Sequence, residues 1–486
     1  MKILFAASEA APFIKSGGLG DVMGALPPEL SKYEGSEIAV VLPYYAKIKN
    51  NPDLGIEFVT EFYVPLAWRN VYAGIFKKTV KTPGRGKVKG TKVTYYFVDN
   101  DDYFNRTSLY GHADDGERFA FFSKAVLEML VHLGFIPDVI HCNDWQTGFV
   151  PLFLKAHYSD IEGFDKIRTV FTIHNIEYQG KANPDFLSQV LGVDEKWRNV
   201  ATQGEMINAM KCAIVLCDKL TTVSETYAHE IQYAYFAHGL ESIIAENQYK
   251  TCGIINGIDT KLFNPEKDPT IDFNFKPTSL GGKAKCKAKL QEELGLPVRD
   301  DVPMVAMITR LVNHKGLELV EWVADNLATM GIQLVVVGTG DARYEEMFNF
   351  LSYVHPETVC AKIMFDPVLA NRLYAASDFF LMPSKSEPCG LSQLIAMRYG
   401  SVPIVRETGG LVDTVAPLNT ETLEGRGFTF KVFNAHDMLG AVERAAEFFK
   451  DKVKLQKHRS AIMKLDTSWA KPAEKYMGLY SEIVGE

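Results

Sequence analysis

Short apolar runs alternate with stretches whose apolar positions recur every third or fourth residue, and this strand–helix alternation fills most of the chain. Residues 2–7 read as a short buried strand. Leu19, Val22, Met23, Leu26 and Leu30 then fall at helical spacing, with Pro27 and Pro28 expected to kink or break that helix. Residues 138–141 and 169–173 read as buried parallel strands, and 117–133 and 145–157 as the helices crossing between them. Residues 59–98 alternate polar with apolar and contain the turn PGRGKVKG (83–90), which predicts an antiparallel β insertion.

The second half repeats the strand–helix pattern more cleanly. Its strands fall at 304–308, 333–337, 362–365, 379–382 and 402–405, with helices beginning near Gly316, Arg343, Leu369, Gly390 and Gly410. That is the pattern of a doubly wound α/β sheet. A stretch rich in Pro, Gly, Asn and Lys, 264–282, separates the halves, and 486 residues exceed one compact core. The chain is therefore expected to form a first Rossmann-like domain over 1–250 and a second over 251–465. A tail over 466–486, with a helix around 469–484, is expected to pack back on the first domain.

Composition narrows the function classes. A net charge of −8 argues against nucleic acid as partner, while leaving room for a local basic site that takes one small anion. The seven cysteines (142, 212, 217, 252, 286, 360 and 389) are odd in number and lack CxxC spacing, so neither a disulfide framework nor a zinc site is expected. No apolar run approaches membrane-spanning length, and the opening MKILFAASEA, interrupted by Glu9, suits a first strand better than a signal peptide. A cytoplasmic protein without a membrane partner is expected.

Two glycine loops carry the candidate chemistry. KSGGLGDV (15–22) is echoed by TGGLVDTV (408–415), with two glycines, a leucine and an aspartate at the same offsets. Paired glycines before a helix let an anion approach backbone N–H groups at the positive end of the helix dipole. Either copy alone is also readable as an ordinary strand-to-helix turn. Polar residues follow other strands: Asp144 and His174 in the first half, and Arg310, Lys315 and Glu387 in the second. Open α/β sheets bind ligands at such carboxyl ends. Each has a plainer reading, with Asp144 and Glu387 as helix caps and His174 as a strand-end structural residue. Asp99-Asn-Asp101 resembles a metal-holding DxD, although Asp and Asn clusters are turn formers first. There is no GxxxxGK[ST], HExxH or GxSxG string, and Gly338-Thr-Gly340 lacks a third glycine at Arg343.

Taken together, the strings KSGGLGDV (15–22), LYGHADDGERFAFFSKA (109–125), HCNDWQTG (141–148), FTIHN (171–175), NGIDTKLFNPEKD (256–268), TRLVNHKG (309–316), SEPCGLSQL (386–394) and VRETGGLVDTV (405–415) resemble the bacterial glycogen synthase and starch synthase family. The resemblance implies two facing Rossmann-like doubly wound domains of GT-B type with a deep interdomain cleft. It implies a retaining glucosyltransferase that moves glucose from a nucleotide diphosphate glucose to the non-reducing end of an α-1,4-glucan. ADP-glucose is implied for most bacterial members, with UDP-glucose as the alternative, and no cofactor or metal. Catalytic roles fall on Glu387, His174, Asp144 and Lys15. Donor and phosphate contacts fall on Lys15, Gly18, Arg310, Lys315, Cys389, Gly390, Leu391, Thr408, Gly409 and Gly410. Sugar or acceptor contacts fall on Asp21, Asp144, His174 and Asn256. The family's H-D-W-H run is Asn143-Asp-Trp-Gln146 here, and its Arg-Pro-Gly before Leu-Tyr-Gly is Arg106-Thr-Ser108. Two rival readings stay open: a metal-dependent sugar transferase using Asp99 and Asp101, and a non-catalytic glucan-binding protein. Oligomeric state is open as well.

Overall fold

Val, Ile, Leu and Phe runs too short for helices pair into three sheets in the computed structural model, which describes residues 1–84 and 89–485. In chain order the strands are β1 (Lys2–Ala6), β2 (Glu37–Pro43), β3 (Glu57–Leu66), β4 (Arg69–Thr82), β5 (Thr91–Asp99), β6 (Val139–Asn143) and β7 (Arg168–Ile173). Next come β8 (Lys181–Ala182), β9 (Thr202–Gln203), β10 (Met206–Asn208), β11 (Lys219–Thr222) and β12 (Thr251–Gly253). The last six are β13 (Met304–Ile308), β14 (Gln333–Val337), β15 (Val359–Lys362), β16 (Phe379–Met382), β17 (Val402–Arg406) and β18 (Phe428–Phe430).

The chain divides into two compact units. One holds Met1–Asn256 and the C-terminal stretch beginning at Trp469; the other holds Gly257–Ser468. The main sheet of the first unit runs β12-β11-β7-β6-β1-β2-β5-β4-β3. It is parallel from β12 to β5, and β4 and β3 extend it antiparallel, which is the form the insertion over 59–98 takes. Of the turn PGRGKVKG, residues 85–88 lie outside the described residues. A small antiparallel sheet, β8-β10-β9, lies beside the main one in sequence. The second unit is one six-stranded parallel sheet of order β15-β14-β13-β16-β17-β18, a Rossmann order read from its first strand outward in both directions.

Those orders decide where ligands can bind. Strand order reverses between β1 and β6 in the first unit and between β13 and β16 in the second. A crevice opens at the carboxyl ends of the strands on either side of such a reversal. The central strands flanking these switch points are buried, with Ile3, Leu4, Phe5, Val305, Ala306, Phe379 and Phe380 essentially inaccessible.

Three element predictions need correction. The strand expected at 362–365 is β15, three residues earlier, and Met364 and Phe365 are exposed. The helix over Gly18–Leu30 runs on through Pro27 and Pro28, because both sit among its last four residues, where little helix remains to interrupt. The stretch 145–157 is not one helix. A 3₁₀ turn, Trp145–Thr147, entered from Asp144 at positive φ, precedes an α-helix over Val150–His157.

The C-terminal helix, Ala470–Val484, packs in the first unit with Tyr476 and Tyr480 buried. Tyr480 bonds through its hydroxyl to His141 Nδ1 at 2.6 Å. Among the described residues, no helix is long and apolar enough to cross a membrane.

Candidate active site

In the second unit, the loops after β13 and β16 meet across the switch point. Arg310 lies two residues beyond the end of β13, exposed, and its side chain has no hydrogen bond or ion pair among the described residues. Lys315 sits in the 3₁₀ turn Asn313–Lys315. Gly316 follows with φ +73°, and a Cβ there would lie 2.0 Å from the Pro383 carbonyl oxygen, so only glycine lets the two loops close. The backbone N–H of Lys385 then donates to the His314 carbonyl at 2.9 Å.

This closure brings Lys315 Nζ to 2.7 Å from Glu387 Oε2, and Ser384 Oγ donates to the same oxygen at 3.0 Å. Glu387 is 6% exposed, and its carboxylate is committed to this pair rather than to the next helix, Ser392–Arg398, whose start is Leu391 without a side-chain cap. The cap reading therefore fails. Lys315, Ser384, Glu387, Gly390 and Leu391 line one pocket together with Met307–Thr309. Arg406, at the end of β17, steadies the loop by donating to the Lys385 carbonyl at 2.8 Å. Cys389 is buried beside them.

The echo loop departs from expectation at Gly410. Its N–H donates to the carbonyls of Glu387 and Pro388 at 3.0 and 3.2 Å, and is spent on the fold instead of a phosphate. A Cβ on Gly410 would lie 2.2 Å from the Cys389 oxygen, so this glycine serves close packing against the Glu387 loop. The helix it begins, Gly410–Thr414, has only five residues, and Thr408 is buried before it, with Gly409 as its N-cap residue.

In the first unit, the loop after β1 is held from below by a residue the motif reading missed. The buried Glu9 accepts from Ser16 N at 2.5 Å, Gly17 N at 3.2 Å, Ser16 Oγ at 2.8 Å and Tyr110 OH at 2.8 Å. The N–H groups of Ser16 and Gly17 are thus already neutralised by an internal anion. Gly18 opens the 13-residue helix, where the leading N–H groups have no intrahelical acceptor. Lys15 pairs with Asp21 at 2.8 Å, both partly exposed, so these two predicted residues meet. The only sequence sign of Glu9 is that it interrupts the apolar opening run.

Asp144, His174 and Asn143 form the second cluster, at the ends of β6 and β7. Asp144 has φ +56° and ψ 177°, a region almost reserved for glycine. Its carboxylate does not cap the turn it begins. It accepts instead from His174 N at 2.7 Å and Asn175 N at 3.3 Å, tying β6 to the chain beyond β7. Burial pushes the Asp144 carboxyl up to about 7, against those two N–H donors, and pulls the His174 imidazole down to about 3. His174 Nε2 lies 2.9 Å from Asn143 Oδ1. Asn256 follows β12, buried, with an Oδ1 that has no partner among the described residues.

The raised Asp144 carboxyl sets a testable slope. Between about pH 4 and 7 the unfolded chain ionises this group while the folded protein keeps its proton, so the stability it contributes falls as pH rises. Asp144→Asn keeps an oxygen for the two N–H donors and cannot titrate. The difference in unfolding free energy, wild type minus variant, is expected to decline across that window in urea titrations. A flat difference would mean the carboxyl is not desolvated.

Asp99 and Asp101 do not stand open to a metal. Lys49 Nζ lies 3.0 Å from Asp99 Oδ1 and 2.9 Å from Asp101 Oδ1, an ammonium where a divalent cation would sit. Asn100 caps the helix Asp101–Phe104 by accepting from Tyr103 N, which is the turn-former reading. Among the described residues, no cluster of three or more His, Cys, Asp or Glu side chains could hold a metal ion.

Residues 2–246 match the family described as starch synthase catalytic domain, and residues 291–461 match glycosyl transferases group 1. A glycogen synthase of Clostridium acetobutylicum is 46% identical, with 100% of both chains covered. One of Bacillus cereus is also 46% identical, covering 100% of both. The solved catalytic domain of starch synthase IV from Arabidopsis thaliana, bound to ADP and acarbose, matches with a TM-score of 0.89 at 34% identity, over 100% of this chain and 99% of that one. Sucrose-phosphate synthase from Thermosynechococcus elongatus shares the fold at a TM-score of 0.60 and 18% identity, over 100% of this chain and 99% of that one. By full-length similarity and by two Rossmann-like units of GT-B type, the chain belongs to the glycogen synthase and starch synthase family of glucosyltransferases.

Proposed function

We propose that this protein elongates α-1,4-glucans, moving glucose from ADP-glucose to the non-reducing end with retention of configuration. The observation that carries this reading is the Lys315–Glu387–Ser384 cluster at the second unit's switch point, in a chain 34% identical to a starch synthase solved with ADP and acarbose.

Departure of ADP leaves positive charge at the anomeric carbon and adds negative charge on the diphosphate. Arg310 and Lys315 would neutralise the diphosphate, with Lys15 and the Gly18 helix start serving the same charge. Glu387, anchored by Ser384, would face the sugar and stabilise the cation. Cys389, Gly390, Leu391, Thr408 and Gly409 would shape the donor's bed, while Gly410 acts through packing. Asp144, His174 and Asn256 would contact the transferred glucose or the acceptor, and Asp21 would hold Lys15. This reading needs no metal or cofactor. The seven unpaired cysteines, six of them buried, fit a reducing cytoplasm.

The test is glucose incorporation into glycogen from ADP-, UDP- and GDP-glucose, each with and without a chelator. ADP-glucose is expected to be used at least about 10-fold more efficiently than the others, a discrimination of about 1.4 kcal/mol, with the chelator inert. Preference for UDP-glucose would replace the donor. Glycogen binding without transfer from any donor would leave the non-catalytic reading, and loss of activity to the chelator would revive Asp99 and Asp101.

A further inference from the structure

The amide of Asn143 is oriented without ambiguity. Its Nδ2 lies 3.2 Å from the Ala6 carbonyl and 3.1 Å from the His141 carbonyl, so the NH₂ must face these two acceptors and Oδ1 must face His174. An oxygen 2.9 Å from His174 Nε2 can only accept, so Nε2 carries the proton. Nδ1 is then a bare lone pair on a partly buried ring. No described residue bonds to it, and it is not among the sealed, unpartnered polar atoms, so it reaches the surface.

The neighbouring histidine provides a contrast. His141 spends both nitrogens inside the fold, Nδ1 on Tyr480 OH at 2.6 Å and Nε2 on Thr172 Oγ1 at 2.5 Å. Its backbone carbonyl is one of the two acceptors that orient Asn143. The C-terminal helix thus fixes His141, the backbones of β1 and β6 fix Asn143, and Asn143 fixes His174.

We propose that Asn143 is a positioning residue that locks His174 in the Nε2–H tautomer, so that Nδ1 presents an acceptor to a sugar hydroxyl. This rests on reading His174 as a residue that touches the sugar. Burial supports it by keeping the ring uncharged at neutral pH. A ring free to exchange tautomers would offer a donor part of the time, and a hydroxyl held by an acceptor would lose its partner.

The tautomer can be read directly by two-bond proton–nitrogen correlation on the full chain labelled with ¹⁵N-histidine, the His174 signal being identified by its loss in His174→Gln. The wild type is expected to show the Nε2–H pattern alone. Asn143→Leu removes the acceptor and is expected to give mixed tautomers of the neutral ring. Turnover is expected to fall about 10-fold, with KM values for donor and glycogen held within about 2-fold. Asn143→Asp, whose protonated form is favoured because one oxygen faces the two carbonyl acceptors and must donate to them, still turns its other oxygen to Nε2 and is expected to restore the pattern and most of the turnover. A wild-type Nδ1–H pattern, or Asn143→Leu with unchanged pattern or unchanged turnover, overturns the proposal. Should the leucine variant not fold, the wild-type and aspartate spectra still decide. An inactive wild type would sink the functional reading while leaving the spectra to judge the tautomer.

Discussion

Replacing Glu387 with Gln is expected to leave the protein folded and to cut turnover about 100-fold or more, the loss typical of a group that stabilises transition-state charge. Gln is nearly isosteric and keeps an oxygen for Lys315 and Ser384, the two partners that hold the carboxylate in place. What it loses is the negative charge. The binding contacts therefore survive while the stabilisation of an oxocarbenium-like centre does not, so KM for donor should move little beside kcat. Circular dichroism and thermal melting check the fold; steady-state kinetics check the rest. Retention of more than about half the parent turnover would remove Glu387 from the chemistry.

Alanine at Arg310 or Lys315 is expected to lower kcat/KM for the nucleotide sugar by about 10- to 150-fold, the effect of losing one charge-assisted contact of roughly 1.5–3 kcal/mol. The two should separate on stability. The Arg310 side chain is exposed and has no bonding partner among the described residues, so its loss should not shift the melting temperature. Lys315→Ala also strands the buried Glu387 carboxylate without its cation, and should lower both melting temperature and turnover. Lys15→Ala should weaken donor use and leave Asp21 unpaired at the surface. Equal losses for donor and glycogen would mean that these cations serve another ligand.

The legible parts of this chain are those written in local pattern. Runs such as Met304–Ile308 and Gln333–Val337 announce buried parallel strands because nothing polar interrupts them, and their alternation with helices fixes the layer architecture. The pattern points past β15 because Cys360 and Ala361 are small and the stronger apolar run, Ile363-Met364-Phe365, lies outside the sheet. Candidate site residues are legible where a charge follows a strand in its loop, as with Arg310 and Glu387. Those that act through distant partners left no local mark. Glu9 meets Tyr110 across 101 positions, and the role of Gly410 becomes visible only when the Cys389 loop is placed against it. Asn143 drew notice as a departure from the family string, but its use depends on the carbonyl of Ala6, brought beside it by parallel pairing of β1 with β6.

The C-terminal helix imposes an order of manufacture. A ribosome that has made everything through Ser468 has finished the sequence of the second unit, yet the first still lacks Tyr476 and Tyr480. Until those arrive, His141 Nδ1 has no tyrosine hydroxyl, and the apolar side of the sheet they cover stays open to water or to other nascent chains. The first unit is completed only after the second has been made, so a chain truncated after Ser468 is expected to carry a damaged first unit joined to an intact second one.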